Sequence, residues 1–353
     1  MKKYIATALY IATLLFTTGC SEQQKAKSSG EQQPFTDEVI LSYTPVKNQG
    51  KSSLCWAYAM LATIETEHIM RGDSVNLSPA YVARMFMNEQ VDACYLNRGK
   101  THITTRGTMP QLIRLIQTYG LMPYDSYNTD ANINVTARKM QNMIRVAAAK
   151  RNGINYVRKS ANNILDNGIN PLPLHVYMYS MEYTPLEFAH SVCMPDEYQA
   201  ITSFTHMPMN KKVVLEVPDN FNRERFINIP LDHMMDIMES SIRSGHPVCW
   251  EGDISERGFS FEDGIADIRE DKRAASQQIR QKDFEALHTT DDHCMAIVGI
   301  AHDSKGRKFF ICKNSWGTAN KYRGFIYMSF DYARMKTAYN TVYSIEEILF
   351  AHS

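Results

Sequence analysis

The chain has 353 residues, which is enough for one large domain or two modest ones with a hydrophobic core. Lysine and arginine together number 38, as do aspartate and glutamate, so the formal net charge is zero. This balance gives no electrostatic footprint for nucleic acid, and we predict no nucleic-acid partner.

The first residues predict a secretory signal peptide at 1–19. Two lysines precede an apolar run at 4–16, which is too short for a membrane span of roughly 20 apolar residues. The small residues before Cys20 resemble a bacterial lipobox, although Thr17 stands where leucine is usual. The resemblance implies that Cys20 is lipidated and anchors the chain in the bacterial cell envelope, on the periplasmic side or at the outer membrane. The alternative is an ordinary signal peptide followed by a chance cysteine.

Residues 20–36 are predicted to form a flexible tether between the lipid and the folded domain. Residues 21–33 contain no aliphatic side chain larger than alanine, so they cannot bury enough surface to offset the entropy lost on ordering. The folded domain is therefore expected at 37–353.

Seven cysteines in 353 residues are too sparse for a disulfide scaffold. Apart from Cys20 and Cys55, an odd set of five remains: Cys94, Cys193, Cys249, Cys294 and Cys312. The last three fall in apolar, strand-like runs, where a free thiol packs as a small hydrophobic group. No cysteine and histidine cluster has the spacing of zinc ligands, so we predict no metal and no cofactor.

Helical patterns dominate the first part of the folded domain. Residues 54–70 are rich in helix formers, with Cys55 at the start, and residues 81–89 and 109–119 are amphipathic at the helical period. These segments predict a helical lobe at about 44–125.

The middle region, about 126–230, is less regular. Residues 131–158 are predicted to be helical, 162–173 to form a loop, and 198–218 to form short strands joined by turns.

The last part of the chain is predicted to be mainly β. A helix at 230–245 is followed by four short apolar runs typical of antiparallel strands, PVCWEGDI, HCMAIVGIA, KFFICKNSWG and GFIYMSF. A β lobe is therefore expected at about 231–353, and the fold class is α+β.

Three separated segments hold residues that complete one another chemically. Residues 49–56, 291–295 and 313–317 read QGKSSLCW, DDHCM and KNSWG. A thiol attacks an amide carbonyl as the thiolate, and both a helix N-terminus and an imidazolium partner lower its pKa. Cys55 lies at a predicted helix start, and His293 can supply the imidazolium.

Other side chains of these segments can supply the remaining functions. Asn314, 21 residues after His293 (314 − 293), can hold the imidazole in one tautomer and orientation. The side-chain amide of Gln49 and the backbone N–H of Cys55 could form an oxyanion hole, and Trp316 could keep water from the histidine. Each motif alone is weak, and their joint occurrence in this order predicts nucleophilic catalysis.

These segments resemble the papain superfamily of cysteine peptidases. Its nucleophile, base, orienting and oxyanion positions match Cys55, His293, Asn314 and Gln49. The resemblance implies a helical half and an antiparallel, β-barrel-like half with the active-site cleft between them. Residues 106–110, RGTMP, are similar to the glycine-containing loop that holds the substrate backbone, and we assign substrate binding to Gly107, Asp292 and Trp316.

The distance between nucleophile and base points to one branch of this superfamily. His293 follows Cys55 by 238 residues (293 − 55), against about 130 to 150 in the familiar pattern, so roughly a hundred residues are inserted. The insertion and the motifs TPLEF, YQAITSFTHMP and PVCWEGDI resemble the bleomycin hydrolase and aminopeptidase C branch. The resemblance covers about 44–332.

The sequence departs from the family pattern at two places. Ser52 stands where a disulfide cysteine is common, so that disulfide is not expected. The branch places its own C-terminus in the cleft to restrict cleavage to N-terminal residues, whereas residues 345–353 here look too short to reach Cys55. We therefore favour endopeptidase activity, although a glutamate of that segment or a loop of the inserted region could supply a substitute carboxylate.

The sequence as a whole predicts a cysteine peptidase that hydrolyses peptides or proteins through a thioester in the cell envelope. Endopeptidase and aminopeptidase activity both stay open, and the oligomeric state is not indicated. Acyl transfer or transpeptidation by the same residues is one alternative. A catalytically idle lipoprotein that binds peptides is another.

Overall fold

The computed structural model describes residues 35–178, 180–268 and 275–344. The predicted signal peptide, Cys20 and the C-terminal segment 345–353 lie outside the described residues, as does most of the predicted tether. Among the described residues, no helix has both the length and the apolar character needed to cross a bilayer. The first strand, β1, is Phe35–Ile40, so the folded part begins by Phe35 rather than at residue 37.

Five helices follow β1 along the chain. They are α1 (Cys55–Met70), α2 (Pro79–Leu96), α3 (Met109–Tyr119), α4 (Ile133–Lys150) and α5 (Ile154–Gly168). The Ser78 hydroxyl caps α2 by accepting a hydrogen bond from the N–H of Tyr81 at 3.0 Å, and Pro79 is suited to a first helical turn. This cap explains why α2 begins before the predicted residue 81. The predicted helix at 109–119 is confirmed.

The middle region corrects two predictions. The helix predicted over 131–158 is interrupted at Arg151, which adopts a left-handed conformation with φ of 55°, and Gly153 then caps α5. The loop predicted over 162–173 is wrong at its start, because α5 continues to Gly168. Val157, Ala161 and Leu165 recur every four residues and are buried, so core packing extends the helix despite the asparagines between them.

The rest of the chain alternates strands with short helices. These elements are β2 (Val176–Met178), β3 (Met181–Tyr183), α6 (Pro185–Val192), β4 (Tyr198–Thr202), β5 (Lys211–Val214), β6 (Arg225–Asn228), α7 (Leu231–Arg243), β7 (Val248–Gly252), β8 (Phe259–Ser260), β9 (Ile265–Ala266), α8 (Gln277–Glu285), β10 (His293–Asp303), β11 (Lys308–Lys313), β12 (Phe325–Ser329), α9 (Phe330–Lys336) and β13 (Thr337–Tyr343). The predicted helix at 230–245 and the four predicted C-terminal strands are confirmed as α7, β7, β10, β11 and β12.

Eleven of the described strands form one sheet in the order β5-β6-β4-β13-β7-β10-β11-β12-β9-β8, with β1 paired to β10. Most pairs are antiparallel, but β4 pairs with β6 and β9 pairs with β12 in parallel, so the sheet is mixed rather than wholly antiparallel. Strands β4, β5 and β6 of the inserted region are connected to β7 by β13, which pairs with both β4 and β7. The insertion therefore extends the sheet of the β lobe.

Two apolar cores meet at the start of β10. Most of the buried residues of α1, together with Cys294, belong to the core shared with α2 and α3, whereas Met295–Val298 belong to the core shared with α7. Cys55 is the first residue of α1 and His293 the first of β10, so the site forms where these two elements begin.

Candidate active site

Cys55 and His293 line one cavity of about 170 Å³. The Cys55 residue is half-buried, and His293 is only 2% exposed. Gln49, Asp292 and Trp316 line the same cavity. The structure therefore brings these sequence-predicted residues together from segments that are more than 230 residues apart in the chain.

The pKa of the Cys55 thiol is held well below its ordinary value. The largest cause is a hydrogen bond from the Cys294 thiol, while burial acts in the opposite direction. A hydrogen bond with His293 and its positive charge lower the pKa further. Because a thiolate is the nucleophilic form, Cys55 is activated by two neighbouring side chains.

His293 is oriented by Asn314. Its Nε2 lies 2.7 Å from Asn314 Oδ1, which also accepts a hydrogen bond from the N–H of Ser315 at 2.7 Å. Because this oxygen only accepts, Nε2 carries the proton in this pair, which leaves Nδ1 to exchange a proton with the thiol. Asn314 is 2% exposed, so water does not compete for the bond.

Trp316 covers the histidine. The two ring centroids are 4.5 Å apart at an interplanar angle of 40°. Phe259 and Phe261 meet the indole edge-on, with centroid distances of 6.1 and 5.2 Å. These aromatic side chains hold Trp316 over the imidazole and limit the access of water to it.

Gln49 is held beside the nucleophile by two hydrogen bonds. Its Oε1 accepts from the hydroxyl of Ser315 at 2.6 Å, and its Nε2 donates to the carbonyl of Ser52 at 2.7 Å. A side-chain amide has two N–H donors, so one remains for a substrate oxygen in the cavity. No role for Ser315 was predicted from the sequence, although this residue follows Asn314 directly.

The predicted substrate residue Gly107 is buried against Trp56 rather than open to this cavity. A Cβ atom at Gly107 would lie 3.0 Å from the indole, which accounts for glycine there. The neighbouring Arg106 lines the cavity instead. Substrate contact by Gly107 therefore stays a prediction. The other predicted substrate residue, Asp292, is exposed and lines the cavity.

A group of buried carboxylates beside the cavity was not predicted. Oxygen atoms of Asp219, Glu251 and Asp291 lie within 4.8 Å of one another. Oxygen donors suit a divalent cation, but Arg106 already supplies a positive charge, with its Nε 2.6 Å from Asp219 Oδ1. Arg106 also donates to the Asp291 carbonyl at 3.1 Å.

Burial dominates the acidity of this group. It raises the pKa of Asp219, raises that of Asp291 to about 6, and raises that of Glu251 well above its ordinary value. The hydroxyl of Tyr339 donates to Glu251. The sequence marked Glu251 only as a charged residue inside the apolar run PVCWEGDI. Asp219 lies in the irregular inserted region, where no pattern indicated a functional residue.

Comparisons with known proteins match part of this chain. Residues 175–348 match the Peptidase C1-like family, a range that includes His293 and Asn314 and begins after Cys55. Aminopeptidase W of Lactobacillus delbrueckii subsp. lactis is 25% identical over 164 residues, which make up 44% of this chain and 37% of that relative. The alignment thus spans little more than a third of the relative's length.

A solved structure with a TM-score above 0.5 shows the same fold. PepW from Lactobacillus rhamnosis HN001 superimposes with a TM-score of 0.68 at 18% identity, over 89% of this chain and 84% of that one. The bromelain protease from Ananas comosus, in complex with the E64 inhibitor, gives 0.42 at 17% identity, over 88% and 98%. The likeness to PepW establishes the predicted papain-like α+β fold.

Proposed function

We propose that this member of the papain-like cysteine peptidases, in their aminopeptidase C-like branch, hydrolyses peptide bonds with Cys55 as nucleophile and His293 as general acid and base. The observation that carries the proposal is the shared cavity of Cys55 and His293, together with the 2.7 Å contact that orients the imidazole on Asn314. An activated thiol beside an oriented histidine is the arrangement that acyl chemistry requires.

The reaction proceeds in two steps. The Cys55 thiolate attacks the carbonyl carbon, and His293 gives its Nδ1 proton to the leaving amine as the C–N bond breaks and a thioester forms. Water, deprotonated by His293, then attacks the thioester carbon. The C–S bond breaks, which releases the carboxylic acid and leaves Cys55 as the thiolate beside a protonated His293. Negative charge on the carbonyl oxygen in each step is stabilised by the free N–H of Gln49 and the backbone N–H of Cys55.

Hydrolysis of an unstructured fluorogenic peptide library tests the proposal. Cys55→Ala should abolish hydrolysis and keep the folded structure, because the change leaves little empty space in a half-buried position. Cys312→Ala is the matched control, since Cys312 is a buried thiol of β11 that does not line the cavity. Hydrolysis that survives in Cys55→Ala, or that is lost equally in both variants, would contradict the proposal.

We also propose that the protein is exported to the cell envelope and anchored there through lipid on Cys20. The support is the signal-like sequence at 1–19 and the small residues before Cys20, which lie outside the described residues. The wild-type protein should partition with membranes into detergent, and Cys20→Ser should release it or leave it unprocessed. Recovery of the wild-type protein wholly in a soluble fraction would refute the anchor.

A further inference from the structure

The inserted region contributes a carboxylate to the catalytic cavity. Asp219, between β5 and β6, lines the cavity that contains Cys55 and His293, and the residue is only 8% exposed. Its Oδ1 accepts a hydrogen bond from Arg106 at 2.6 Å. Among the described residues, its Oδ2 accepts none. This oxygen is not one of the fully buried atoms that lack a partner, so it is open to the cavity and can accept a hydrogen bond from a ligand there.

The charges around Asp219 call for a positive ligand. Of the described side chains that line the cavity, Asp219 and Asp292 are acidic, while Arg106 is the single permanent cation. Oxygens of Asp291 and Glu251 lie within 4.8 Å of Asp219, although burial raises the pKa of Glu251 and disfavours its charged form. One guanidinium therefore faces the two acidic side chains of the cavity wall, and further positive charge in the cavity would be favourable.

We propose that Asp219 binds an ammonium group of the substrate through Oδ2, while Arg106 holds Oδ1 and fixes the carboxylate in place. The inference rests on the proposed peptidase function and assigns the substrate class of the same cavity. A charge-assisted N–H to carboxylate bond is short and strong, and it is strongest where water is excluded. Asp219 is thus a specificity-determining residue supplied by the insertion.

The shared cavity places the ammonium close to the scissile bond. Asp219, Cys55 and His293 all line this one cavity of about 170 Å³. A group bound to Asp219 therefore belongs to a residue next to the bond that is cut. That group is either the free N-terminus, which makes the enzyme an aminopeptidase, or the side chain of a lysine in an internal sequence.

Three matched peptides distinguish these sources. One has a free N-terminus and no lysine, one is acetylated with lysine beside the scissile bond, and one is acetylated without lysine. Two quantities are measured for each peptide: kcat/KM for hydrolysis, and protection of Cys55 from alkylation, which does not depend on turnover. Asp219→Asn keeps the shape and removes the charge. Asp196→Asn is the control, since Asp196 is exposed and does not line this cavity.

In the wild-type protein, the free-amine or the lysine peptide should protect Cys55 at concentrations about tenfold lower than the neutral peptide. Asp219→Asn should remove this preference mainly through KM. In the absence of peptide, Cys55 of this variant should alkylate at least as fast as in the wild-type protein, because the neighbouring negative charge that opposes the thiolate is gone. Equal protection by all three peptides in the wild-type protein would overturn the inference. The inference would also be overturned if the affinity of Asp219→Asn fell equally for all three peptides, or if its Cys55 alkylated more slowly. Either result would indicate a structural role for Asp219. Failure of Cys55 to alkylate at all would instead refute the proposed function.

Discussion

The hydroxyl of Ser315 donates to Oε1 of Gln49 at 2.6 Å and ties the segment after β11, which carries Asn314, to the loop before the nucleophile. The N–H of Gln49 donates to the carbonyl of Ser315 at 2.8 Å, which doubles the connection. The orienting asparagine and the oxyanion donor are therefore set by one contact between two distant segments. Disturbing that contact should affect catalysis more than substrate binding.

Gln49→Ala should lower kcat by about a hundredfold or more and change KM little, because the amide acts on charge that develops in the transition state. Ser315→Ala should have a smaller effect in the same direction, since it frees the amide without removing it. The double variant should resemble Gln49→Ala, because the two residues act as one unit. Steady-state kinetics of the three variants measures this. A change confined to KM, or fully additive losses, would show that Gln49 is not the oxyanion donor.

Asn314→Ala should lower kcat by about a hundredfold, because the imidazole loses the acceptor that fixes its tautomer and orientation. Asn314→Asp, which keeps an acceptor at Oδ1, should recover part of the loss. Kinetics together with an unchanged thermal unfolding midpoint would separate orientation from folding. Equal activity in Asn314→Ala and the wild-type protein would contradict the assigned role of Asn314.

The hydrogen bond from Cys294 to Cys55 predicts a pH effect. A lowered pKa means that the thiolate persists as the pH falls, so Cys55 should alkylate near pH 6, where a thiol of ordinary pKa, about 8.5, is almost fully protonated. In Cys294→Ala this donor is lost, and the midpoint of the rate against pH should move to higher pH. Cys294→Ser restores a donor and should move the midpoint back. A midpoint that is the same in all three proteins would show that Cys294 does not stabilise the thiolate.

Much of this site could be predicted because its chemistry lies in short segments with fixed residue types. A cysteine at a helix start, a histidine at a strand start and an asparagine after the next strand are local features. The structure brings the first two into one cavity and places the asparagine 2.7 Å from the histidine. The strands β7, β10 and β11 were predictable for a similar reason, since their apolar runs are continuous.

The features that were missed depend on long-range contacts. Asp219 meets Arg106 from 113 positions away, and nothing in its local sequence indicates that partner. β1 reads FTDEVI, half of it polar and most of it exposed, and its pairing with β10 is a long-range contact. Cys294 was predicted to be a core thiol because it lies in an apolar, strand-like run, and its contact with Cys55 depends on the packing of β10 against α1. The end of α5 was missed because tertiary packing outweighed the loop-like composition.

Labelling of the purified protein with a thiol-directed epoxide, followed by peptide mapping, tests the assignment of Cys55 and His293 most directly. Cys55 should be labelled stoichiometrically, while Cys94, Cys193, Cys249, Cys294 and Cys312, which are all buried, should react slowly. His293→Ala should slow labelling of Cys55 at neutral pH, because the thiolate loses its positive partner. Labelling spread over several cysteines, or a rate at Cys55 that His293→Ala leaves unchanged, would contradict the assignment.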